Sequence, residues 1–251
     1  LIQFSPKHIH IIVATRKMPE WGCLLSLRMS NQLIECIESE FVFSEEDVVY
    51  LFEQLFERSL SEDECQFVMQ MTEGWAMAIM LLAESSFDNF FSYLSAEVFD
   101  RLDEPLQLQL LQLGVHQVIS VDVISELYGE DWVKEVTPKL SELAFVTQLE
   151  GGNKYRFHAL FRKFLQQRLQ QKYPEQFEAF HFEASRYYAR HNLGVLAISH
   201  AARLQNKLYY TELIIEFAAQ LIEAGKFEFL LERIKDFTHE QKPYQLLYYE
   251  G

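Results

Sequence analysis

No run of 18 uncharged apolar residues occurs in this 251-residue chain, so its sequence offers no membrane-spanning helix. Cysteine is scarce. Cys23, Cys36 and Cys65 are odd in number and share no metal-ligand spacing, so reduced thiols are expected rather than a disulfide framework or a zinc site. Nine glycines and six prolines exclude collagen-like and low-complexity classes. No G-x-x-x-x-G-K-[ST] is present, so nothing in this sequence is expected to cradle phosphates by itself. Nor is there H-E-x-x-H, a C-x-x-C pair or G-x-S-x-G. His8 and His10 lie two apart on one face of an expected strand but lack the further ligands a metal needs. No catalytic residue and no metal site is therefore expected, and the segment is read as not being an enzyme. The first residues, Leu1-Ile2-Gln3-Phe4-Ser5-Pro6, show neither Met nor a signal-peptide pattern. The sequence is thus expected to be a piece of a longer, cytoplasmic protein.

What is present suits a folded chain. Hydrophobic residues make up 49% and aromatic residues 14%, with 21 Phe, enough to fill a sizeable core and to exclude intrinsic disorder. At roughly 150 residues per domain, the length suggests about two domains. The net charge of −15 is unevenly spread. Residues 31–150 hold 25 acids against four Lys or Arg, while residues 151–174 hold six Lys or Arg and no acid. The acidic middle repels a phosphate backbone, so nucleic-acid contact is not expected there.

The apolar pattern changes along the chain. The β-branched run from His8 to Arg16 reads as a buried strand of a sheet whose other strands lie elsewhere. Ile34 to Ile37 reads as a second short extended piece. Ser44 with its following acids, and Ser61 with Glu64, read as helix starts. Thr72-Glu73-Gly74-Trp75 breaks the second helix, and Trp75 to Ala83 starts an almost wholly apolar one that must be buried. Residues 84–89 read as a loop, and Phe90 to Leu102 as a helix. Pro105 opens a Leu-rich helix, Ser120 caps Val121 to Tyr128, and Asp131 to Leu143 is helical. The period then switches to two. Residues 144–149 and Lys154 to Phe157, around Gly151-Gly152, predict a β-hairpin, followed by a helix from His158 to Lys172. Helices followed by a hairpin is the order of a winged helix. From residue 175 onward, paired helices recur at about 33 residues, close to a tetratricopeptide period.

Several segments together resemble one family. Ile11-Ile12-Val13-Ala14-Thr15-Arg16 resembles the sensor strand of the signal-transduction ATPases with numerous domains (STAND). Thr72-Glu73-Gly74-Trp75 and the helix after it resemble the lid signature of that class's maltose-regulon activator (MalT-like) branch. Tyr155-Arg156-Phe157-His158-Ala159-Leu160-Phe161 resembles the branch's winged-helix signature. Tyr93 to Leu113 fits too, as does Ala184 to Ala202 with Tyr187, Tyr188, Gly194 and His200. The resemblance spans nearly the whole chain, in family order.

It implies a mainly α fold: the last strand of an α/β nucleotide-binding core at 1–18, a helical lid at 19–88, a winged helix at 89–174, and the start of a TPR-like array at 175–251. The implied parent is an ATP-dependent transcriptional regulator that binds ATP or ADP with Mg²⁺ and hydrolyses ATP slowly. Its P-loop and DNA-binding domain would lie outside this segment, so no cofactor is expected for the segment alone. By the same resemblance, Arg16 matches the arginine that approaches the γ-phosphate, and His158 the histidine that contacts the ADP β-phosphate. Gly74 marks where the lid touches the base, although Ala76 stands where many relatives carry Pro. Trp75 is either a core residue or a stacking platform. Expected partners are nucleotide, an unknown inducer or effector protein on the helical repeats, and possibly a second copy. DNA contact would be made only through another domain. Two other readings stand beside this one: a protein-interaction scaffold without nucleotide switching, and a DNA-binding winged helix using the basic residues at 151–174.

Overall fold

In a computed structural model, residues 6, 8–15, 19, 21–36, 38–84, 91–143, 145–149 and 151–237 are described. They form a mainly α-helical protein with one small sheet. The chain divides into two compact units. The first comprises residues 1–93, 138–147 and 158–160, the second residues 94–137, 148–157 and 161–251.

The first unit departs from expectation at its start. Residues 9–15 adopt no regular structure, and Ile12 is 94% exposed. An isolated strand cannot satisfy its backbone N–H and C=O groups, and no described strand pairs with this one. Ile34 to Cys36 is likewise irregular and exposed. A helix that periodicity did not reveal, α1 (Leu24–Met29), precedes it, and Arg28 of α1 donates to Glu35 at 2.8 Å.

The helix starts at Ser44 and Ser61 are both capping boxes. Helix α2 (Glu45–Leu55) is capped by Ser44 Oγ, which accepts from Asp47 N, while Asp47 accepts from Ser44 N at 2.9 Å. Helix α3 (Glu62–Thr72) repeats this with Ser61 and Glu64. Each cap is worth about 1 kcal/mol. The amphipathic faces meet in a core of Val48, Phe52, Cys65, Val68 and Ile79. Helix α4 (Ala76–Glu84) is less enclosed than its composition implied. Ala78 and Ile79 are fully buried, but Met77 is exposed, because α3 packs against only one side of α4.

In the second unit, the expected helix from residue 90 to Leu102 is wound unevenly. A π-helical turn at Leu94–Val98 passes into a 3₁₀ turn at Phe99–Arg101. Arg168 explains the distortion: it donates to Ser95 Oγ and Asp100 Oδ1, both at 2.6 Å, and its guanidinium lies over the Phe99 ring. Helix α5 (Glu104–Leu113) starts on Asp103, whose carboxylate accepts from Leu106 N at 2.8 Å. Helices α6 (Val121–Tyr128) and α7 (Glu130–Leu140) follow, and Pro138 falls in the last turn of α7. The hairpin forms as predicted. Strands β2 (Val146–Gln148) and β3 (Lys154–Phe157) are joined through Leu149 N donating to Lys154 O. A third strand, β1 (Ile119–Ser120), pairs antiparallel with β3, with Ile119 opposite Tyr155 and Ser120 opposite Lys154. The sheet order is β1-β3-β2. Helix α8 (Ala159–Lys172) turns Phe161, Phe164, Leu165 and Leu169 inward.

Paired helices then stack: α9 (Pro174–Arg190), α10 (Gly194–Ala201), α11 (Lys207–Glu223) and α12 (Phe227–Lys235). Corresponding starts lie 33 residues apart. Gly194 permits a close approach, since a Cβ there would sit 2.7 Å from the Phe217 ring.

The core of this unit contains three histidines. His116 is fully buried between Tyr188 Oη, 3.0 Å from its Nδ1, and Tyr128 Oη, 3.2 Å from its Nε2. His181 and His200 share a hydrogen bond between their Nδ1 atoms at 2.9 Å. Desolvation pushes the His116 pKa down to about 4. It depresses His181 and His200 as well, helped by the charges of Arg203 and Arg162. All three therefore fold as neutral rings. The unfolded chain takes up protons near pH 6.5, so stability is complete above that pH and falls as the pH drops toward the folded values. One histidine held neutral down to about pH 4 should cost about 2 kcal/mol between about pH 7.5 and about pH 5. In urea titrations at those two pH values, His116→Gln is expected to be less stable than wild type at the higher pH. It should also show a pH dependence smaller by about that amount; an unchanged pH dependence would contradict the neutral-core reading.

Candidate functional site

Within the first unit, the end of α3 and the start of α8 meet in a small polar cluster. Thr72 closes α3 by donating from Oγ1 to Val68 O at 2.7 Å. The chain then reverses through two left-handed residues, Glu73 at φ 52° and Gly74 at φ 76°. Only glycine fits the second position. A Cβ on Gly74 would lie 2.6 Å from Phe43 O and would also collide with the Val42 side chain. Gly74 O accepts from Phe43 N at 2.9 Å, which locks the turn onto the segment entering α2. Trp75 N donates back to Thr72 O, and α4 begins.

The turn aims two side chains at His158. The Trp75 and His158 rings stack, with centroids 5.7 Å apart and planes within 19°. The Glu73 carboxylate approaches from the other partner group. Its Oε2 lies 3.7 Å from His158 Nδ1, and its Oε1 accepts from Ala159 N at 3.2 Å. The His158 side chain is 14% exposed, and its backbone N donates to Phe145 O at 3.0 Å. The backbone bond fixes where the ring starts, while Trp75 and Glu73 fix how it is turned.

Three of the four residues singled out by resemblance, Gly74, Trp75 and His158, thus come together. The fourth, Arg16, lies outside the described residues. Trp75 is half-buried and stacked on an imidazole, not enclosed in the core. Gly74 has a backbone reason for being glycine. Sequence reasoning missed Glu73: it stood inside the quoted lid motif but was read only as part of a helix break.

The basic stretch at 151–174 is not a free cationic face. Arg168 is spent on Ser95, Asp100 and the Phe99 ring, and α8 buries Leu160, Phe161, Phe164 and Leu165. Among the described residues, no group of three or more His, Cys, Asp or Glu is arranged to hold a metal ion, and no helix is long and apolar enough to cross a membrane.

Residues 95–177 match the family model described as the MalT winged helix domain. Along its length the chain is similar to proteins named HTH-type transcriptional regulator MalT. It is 25% identical to the one from Vibrio parahaemolyticus over 95% of this chain and 29% of that protein. It is 24% identical to the one from Vibrio cholerae over 96% of this chain and 29% of that protein. The chain is MalT-like. It spans about 29% of the length of these relatives. The matched winged-helix segment of this MalT-like chain contains His158, Ala159 and the hairpin, whereas Glu73, Gly74 and Trp75 lie outside it.

The turn can be tested directly. Gly74→Ala places a Cβ into the Phe43 backbone and forces an L-residue to positive φ. It is expected to destabilise the first unit by about 2 kcal/mol or more. Urea unfolding followed by circular dichroism reads this out, and an unchanged midpoint would show that the turn relaxes freely.

Proposed function

We propose that this chain is the central regulatory segment of an ATP-dependent transcriptional regulator, in which the lid turn and His158 clamp ADP in the resting state. The observation that carries this reading is the convergence of Gly74, Trp75 and His158, distant in sequence, at one place within the first unit. The residues present suit a nucleotide's phosphate end. An imidazole N–H and the first N–H of α8 are both donors to an anionic oxygen. The nucleotide, when bound, supplies the phosphate charge that such donors read.

The residues' own parts follow. His158 donates a hydrogen bond, Trp75 holds the imidazole plane, and Gly74 lets the lid backbone pass close to α2. The cradle for the phosphate chain and the Mg²⁺ ligands would come from a P-loop core outside this sequence, along with Arg16 at its edge. Release of the clamp on ATP and inducer binding would free the segment to self-associate. The helical pairs α9 to α12 are proposed to receive the inducer or an effector protein, and another domain to contact DNA. The parent would be cytoplasmic and would hydrolyse ATP slowly, as a timer.

Calorimetric titration of ADP and ATP, with Mg²⁺, tests this on the segment alone and on the parent protein carrying its P-loop. Binding is expected only to the parent. His158→Ala should weaken ADP there by about tenfold, the value of one hydrogen bond to a charged group. If the parent binds neither nucleotide, the clamp reading falls and the interaction-scaffold reading takes its place.

A further inference from the structure

The Glu73 carboxylate has no part in the clamp as described, yet it is held on the very imidazole that the clamp needs. Three features show that its position is imposed. Its backbone is held at φ 52°, a region that residues with a Cβ seldom occupy. Its neighbour Gly74 is packed against Phe43, so the turn cannot slide. Its two oxygens are divided between His158 Nδ1 at 3.7 Å and Ala159 N at 3.2 Å.

We propose that Glu73 is a built-in competitor for the anionic ligand of His158, holding the imidazole in the ligand-free chain and giving it up when a phosphate arrives. This rests on the nucleotide reading above. A carboxylate and a phosphate oxygen seek the same N–H donors, and two anions cannot share them without mutual repulsion. The stacked Trp75 keeps the ring in place during the exchange, so only the Glu73 side chain has to move. Glu73 thereby sets the threshold at which nucleotide closes the lid, and the resting turn is an autoinhibitory contact.

The test is ADP titration into the parent protein with its nucleotide-binding core. Glu73→Gln keeps the size and an oxygen for Ala159 N but removes the charge. ADP should bind it about fivefold more tightly than wild type. Glu73→Asp, with its carboxylate drawn back from the imidazole, should move affinity the same way and serves should the first variant fold poorly. In the His158→Ala background, Glu73→Gln should bring no gain, since the group competed for is gone. If His158→Ala weakens ADP but neither Glu73 variant strengthens it, Glu73 merely caps α8 and the proposal is overturned while the clamp stands. If Glu73→Gln strengthens ADP equally in the His158→Ala background, the effect is general charge relief and the competitor role is likewise overturned. Absence of ADP binding to wild type overturns both readings together.

Discussion

The approach of the Gly74 backbone to Phe43 is the constraint on which the first unit depends. No side chain can occupy that space, so the turn between α3 and α4 has one available geometry. That geometry closes the core of Val48, Phe52, Cys65, Val68 and Ile79 by fixing where α4 departs. It also decides where Glu73 and Trp75 point, and therefore what surrounds His158. Packing and site are here consequences of the same missing Cβ. The strained residue beside it is tolerated because the hydrogen bond from Phe43 to Gly74 holds the turn from the far side.

The second unit rests on a different device. Its interior includes His116, His181 and His200, which fold uncharged and are hydrogen-bonded among themselves and to Tyr128 and Tyr188. Such a network specifies packing more sharply than apolar side chains alone, because each ring has one orientation that satisfies its partners. It also makes this unit sensitive to acid. Tyr210, bonded to Asp236 at 2.6 Å, extends the same principle to the last pair of helices. Along α8, Arg168 does the converse: it takes a charge that a basic groove might have used and commits it to Asp100 and two aromatic rings.

Much of the fold was legible in the sequence because its signals are local. Ser44, Ser61, Asp103 and Ser120 cap helices through bonds to residues three positions on, and such spacing is visible without a structure. The hairpin and the 33-residue offset of the helical pairs are likewise periodicities of the chain. The misses have a common cause. The run at His8 to Arg16 has the composition of a strand, but a strand exists only where a partner pairs with it. Helix α1 is too short to show a period, and β1, two residues long, is created by its pairing with β3. The π and 3₁₀ turns near Phe99 answer to Arg168, nearly 70 residues away.

The sequence by itself determined the helix starts, the hairpin, the uneven charge and the set of residues that resemble one regulator family. Those depend on neighbours a few positions apart, whose geometry the backbone imposes. Only the tertiary structure decided that Gly74 is required by Phe43, that Trp75 lies on an imidazole instead of in a core, and that Glu73 belongs to the site at all. A left-handed φ and a carboxylate aimed at a histidine 85 positions along the chain leave no periodic trace in the sequence. They arise where separate segments are brought together, and the close contact then selects side-chain positions that no local propensity encodes.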